Sequence, residues 1–129
     1  MRCIAILICA FLTACASTGT TDRELEAMYV EVRSELREMG LSLDHDTPVR
    51  FAEHGELERN VMARTTCNTW YNLPMSIKFR HGWISRVVMA HELVHVQECL
   101  DGEFKYEGGP YERHANVREV LTIWSAKYQ

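Results

Sequence analysis

Residues 91–95 read His-Glu-Leu-Val-His. On a helix, His91 and His95 are i and i+4, so both imidazoles leave one face about a turn apart. That spacing lets two neutral ring nitrogens grip a single Zn²⁺ at roughly 2.0–2.1 Å each. Glu92 stands beside the first histidine, where its carboxylate can take a proton from water polarised by the ion. Water activated in this way can attack a peptide carbonyl. The spacing therefore predicts zinc-dependent peptide-bond hydrolysis, with Glu92 as general base and one Zn²⁺ per chain. Val87, Val88, Met89, Ala90, Leu93, Val94 and Val96 make the surrounding helix apolar. Two histidines and a glutamate in such a helix need partners, and a metal provides one.

A catalytic zinc site uses three protein ligands and keeps one position open. One helix face supplies only two, so the third ligand must return from elsewhere in the chain. Glu112 fits best, one turn into a last helix that follows Gly108-Gly109-Pro110. The loop 101–109 is long enough to fold that helix back across the first. Asn116, at i+4 from Glu112, shares its face and is placed to hydrogen-bond a metal-bound histidine. Two rivals remain open. Asp101 stands six residues after His95, the offset of the His-Glu-x-x-His-x-x-Gly-x-x-His/Asp pattern, but Glu98 occupies the glycine position. His114 lies two residues past Glu112, about 200° round the helix, so the two cannot easily face one metal.

The elements that must carry these residues follow from periodicity and punctuation. Thr21 or Asp22 caps a helix running to about Met39, with Gly40 as its stop signal. Leu25, Met28, Tyr29, Val32, Leu36 and Met39 fall on one face of it. Asp44–Pro48 breaks the chain. Extended segments are expected at Val49–Ala52, Val61–Thr69 and Met75–Arg80, with turns at Glu53–Glu56 and Asn72–Pro74. The motif helix starts at about Trp83 or Ser85 and runs to Leu100, stopped by Asp101-Gly102. Pro110 fits the first turn of the last helix, which runs to about Lys127. The expected class is α+β: an N-terminal helix, a small three-stranded antiparallel or mixed sheet, the motif helix and a C-terminal ligand helix. Trp70, Trp83 and Trp124 are assigned to the core, and His45 and His54 to surface loops.

The motif and the order of elements resemble the zincin metallopeptidases, most closely their gluzincin branch, over roughly Val49–Lys127. The resemblance implies His91, His95 and Glu112 as ligands and Glu92 as base. It is incomplete at Asn116, where several gluzincins have Asp, and at Gln97, where the extended signature has an apolar residue. It also implies that the strand before the motif helix, Met75–Arg80, is an edge strand that pairs with extended substrate past Ile77 and Phe79. A donor to the oxyanion is required. Tyr111 and His114 are the first candidates, then Tyr106 and His81.

Residues 1–14 carry one charge, Arg2, before an apolar run from Cys3 to Leu12 that is too short to span a bilayer. Leu12-Thr13-Ala14-Cys15 resembles the bacterial lipobox. This implies a lipoprotein signal over 1–14, a lipid on Cys15, a tether over 15–21 and one domain over 22–129. Several acyl chains together give stable anchoring. Ala16 after the cysteine suggests the outer membrane, facing the periplasm. A plain secretory signal is the other reading. Cys67 and Cys99 then form an even pair in an oxidising compartment, a plausible disulfide. Hydrophobic residues at 47% and charged residues at 25% exclude a disordered chain. A net charge of -4 lacks the basic footprint of a nucleic-acid binder. The expected partners are an envelope peptide or protein and the membrane. The competing function is a non-catalytic envelope lipoprotein, using a structural zinc or serving as a binding module. Metal capture is disfavoured by only six histidines without a His-rich tract.

Overall fold

A computed structural model describes residues 20–104 together with 122, 124 and 126. The protein is α+β; among the described residues, two long helices pack on one face of a three-stranded mixed sheet. Helix α1 spans Asp22–Glu38. Thr21 caps it: Glu24 N–H donates to Thr21 Oγ1 at 3.3 Å, and Thr21 N–H donates to Glu24 Oε2 at 2.7 Å. This reciprocal box satisfies two donors that a helix start leaves orphaned. Leu25, Tyr29, Val32 and Leu36 form its buried stripe. Tyr29 Oη accepts the Thr47 N–H at 2.9 Å, and burial raises the pKa of its phenol. Arg33 then donates twice to Leu43 O, at 3.0 and 2.7 Å, and fastens the segment after α1.

Strands β1 (Val49–Phe51), β2 (Ala63–Asn68) and β3 (Leu73–Phe79) lie in the order β1-β3-β2. β1 runs parallel to β3, and β2 runs antiparallel to it. This order overturns the expectation of β3 as an edge strand. Over Ile77–Phe79 it is paired on both sides, and Ile77 and Phe79 are fully buried. Neither can meet substrate. Sequence order placed β3 last before the motif helix, but the chain inserts it between the other two.

Two further expectations change. Asn72-Leu73-Pro74 is not all turn. Asn72 adopts a positive φ of 49° and turns the hairpin, while Leu73 and Pro74 already belong to β3. Thr66 faces Ser76 and Cys67 faces Pro74, so Met75 is an extra residue in the ladder. A bulge is one of the few strand sites that tolerate proline. The bulge also shifts the alternation: Pro74, Ile77 and Phe79 point inward and Met75 is exposed. Of the three tryptophans assigned to the core, only Trp124 is there. Trp70 is 92% exposed at the hairpin turn and Trp83 is 58% exposed.

The outer face of the sheet is polar. Arg50 makes a bidentate pair with Glu56 at 2.7 and 2.6 Å, and Lys78 joins at 3.0 Å. The Arg50 guanidinium, with help from the Glu53 N–H and Lys78, holds the Glu56 carboxyl well below the usual carboxylate range. Arg80 donates to the carbonyls of Val61, Leu57 and Glu58, pinning the loop that crosses from β1 to β2.

The inner face receives helix α2, Arg86–Leu100, capped by Ser85 Oγ, which accepts from Val88 N–H at 3.2 Å. Arg86 pairs with Glu31 at 2.7 Å and with Glu35, locking the start of α2 to the middle of α1. Trp124 Nε1–H donates to the other Glu35 oxygen at 3.0 Å, and its ring joins the core. Met89, Ala90, Leu93 and Val96 of α2 complete that core with Leu25, Val32, Leu36, Ile77 and Phe79. Among the described residues no helix is long and apolar enough to cross a membrane.

Candidate metal centre

Helix α2 is buried nearly all round, and its surface divides into three stripes. Met89, Leu93 and Val96 face the core. Glu92 and Cys99, two turns apart, face β2. His91, His95 and Glu98, at i, i+4 and i+7, form the third stripe. His95 and Glu98 are about 6% exposed, and His91 is half-buried.

The two imidazoles converge. His91 Nε2 and His95 Nε2 lie 3.1 Å apart, with ring planes at 83°. Two nitrogens bound tetrahedrally to one zinc at about 2.0–2.1 Å would be separated by roughly 3.3 Å. Behind His95, Glu98 Oε2 lies 2.8 Å from Nδ1. A carboxylate at Nδ1 fixes the proton there and turns the Nε2 lone pair towards His91, an arrangement that also raises ligand basicity. Phe104 packs edge-on to His95, with ring centroids 6.0 Å apart. The spacing of the two imidazoles is that of two ligands sharing one zinc-type ion.

Glu92 is 5% exposed. Its Oε2 accepts the Thr65 hydroxyl at 2.6 Å, and the same hydroxyl lies 3.1 Å from the Glu92 main-chain oxygen. Cys67, the next inward residue of β2, is bridged to Cys99, with Cα atoms 5.9 Å apart. The expected disulfide is therefore present, and it binds β2 to the helix that carries both histidines.

Among the described residues no group of three or more His, Cys, Asp and Glu is placed to hold a metal. Asp101 caps α2, is exposed, and accepts from Gln97 Nε2 at 3.0 Å. It does not join the histidine pair. Glu112, His114, Asn116, Tyr106 and Tyr111, with Cys15 and the signal segment, lie outside the described residues. His81 is exposed and stacks on Phe51, with centroids 3.9 Å apart. His54 is exposed, and His45, half-buried, pairs with Thr47 Oγ1 at 3.2 Å.

Two site residues escaped sequence reasoning. Glu98 was weighed only as the wrong residue at a glycine position, although its i+3 offset from His95 is a neighbour spacing on a helix. Thr65 carried no signal, because strand-to-helix pairing is not encoded in local pattern. Comparison with family models, with curated proteins and with solved structures returned no match.

Proposed function

We propose that this protein is a zinc-dependent peptide-bond hydrolase of the bacterial cell envelope, gluzincin-like in its ligands. The observation that carries this reading is the convergence of two imidazole nitrogens to 3.1 Å, with the Glu98 carboxylate behind the His95 ring. His91 and His95 would hold the ion, Glu112 would complete the protein ligands, and Glu98 orients His95. When bound, zinc lowers the pKa of water and polarises a carbonyl. Glu92 accepts the proton from the attacking water and passes it to the leaving amine. Because β3 is central, an extended substrate would lie along β2. Its outer edge pairs with no strand among the described residues, and its Thr65 touches Glu92.

Metal analysis of the purified mature protein should give about one zinc per chain. Cleavage of a mixed peptide library should vanish on chelation and return with zinc. Undiminished cleavage by the metal-free protein would overturn the assignment, whereas zinc without cleavage would point to a structural site.

The envelope location rests on the lipobox-like Leu12–Cys15 segment. Expressed in a bacterium, the full chain should fractionate with membranes, and Cys15→Ser should move it to the soluble fraction. A membrane-bound serine variant would remove the lipid anchor from this account.

A further inference from the structure

We propose that Thr65 is a positioning residue for Glu92, held in place by the Cys67–Cys99 bridge; this rests on the hydrolase reading above. Glu92 is a flexible side chain in a buried setting, and a general base works only within reach of its proton donor. Thr65 supplies the constraint. Its hydroxyl donates to Glu92 Oε2 at 2.6 Å and lies 3.1 Å from the carbonyl oxygen of the same residue, so it engages both side chain and backbone. A carboxylate anchored through one oxygen can still accept a proton on the other. Thr65 is itself 3% exposed, and its β-branched side chain has restricted χ1 freedom.

The hydroxyl keeps this position only if β2 keeps its register against α2. Thr65 and Cys67 are the two buried residues of β2, and their partners Glu92 and Cys99 lie two turns apart on one side of α2. A one-residue slip of β2 would turn Thr65 to the opposite face. The covalent bridge two residues away forbids that slip.

The test compares the parent with Thr65→Val, which keeps shape and removes the hydroxyl, and Thr65→Ser, which restores it. On a peptide cleaved by the parent, Thr65→Val should lower kcat about 10–100-fold, the loss expected for a hydrogen bond to a charged group. KM and zinc affinity should stay within about twofold, and Thr65→Ser should recover kcat to within about threefold. Independently of activity, Thr65→Val and Glu92→Leu should be non-additive by about tenfold in the unfolding equilibrium constant. A valine variant with the parent's kcat, a serine variant as poor as valine, or additive unfolding would each overturn the role of Thr65 alone. A parent that cleaves nothing would overturn the hydrolase reading, and this role with it.

Discussion

Glu92→Gln should lower kcat by about 10³-fold while leaving zinc content unchanged, since a general base contributes roughly 10²–10⁴. Glutamine keeps the size of the side chain and can still accept the Thr65 hydroxyl, which now lies 2.6 Å from Glu92 Oε2. What it loses is the capacity to take a proton. Glu98→Gln should show the opposite split. Glu98 backs His95 at 2.8 Å, and loss of its charge should weaken zinc binding about tenfold. Turnover at saturating zinc should fall much less. Zinc titration and steady-state kinetics on both variants separate the two roles. A Glu92→Gln protein that cleaves at the parent's rate would exclude Glu92 as base. Equal losses of zinc from both variants would place Glu92 among the ligands.

Removing the disulfide should have the largest effect on stability. Cys67 and Cys99 are 32 residues apart. Closing a loop of that length removes unfolded-state entropy worth about 3–4 kcal/mol. Cys67→Ala/Cys99→Ala should therefore unfold at a midpoint lower by roughly 15 °C, and reduction of the parent should approach the same value. Both sulfurs sit in the core-facing layer between β2 and α2, so alanine also leaves a small cavity that adds to the loss. A double variant within a degree or two of the parent would mean that the bridge contributes nothing to this fold.

Helices α1 and α2 were legible because their ends carry local chemistry. Thr21 with Glu24, and Ser85, supply side-chain acceptors at the helix starts, and the structure uses them as caps. The histidine pair was legible for a related reason: i and i+4 on a helix fixes proximity without tertiary information. The spatial order of the strands was not legible. Periodicity tells which residues of β3 face inward, but not which strands flank it. The bulge at Met75 is hidden too, because one inserted residue reverses the phase of the alternation. Trp70 and Trp83 show the same limit, since a large apolar side chain reads as core wherever it stands. Thr65 needed the fold itself, for its partner is 27 residues away on another element.

The sheet order also bears on when the molecule can fold. Among the described residues, β1 is made before β2 and β3, yet it pairs with β3, the last of the three strands to be synthesised. The β2–β3 hairpin closes locally, whereas β1 must wait for an acceptor about 28 residues further along the chain. Until Phe79 has emerged, α1 and β1 have no sheet to rest on, so the first half of the chain has nothing to fold against. A polypeptide built in this order must hold its first helix and strand open until the hairpin has closed, and α2 arrives straight after the strand that completes the sheet.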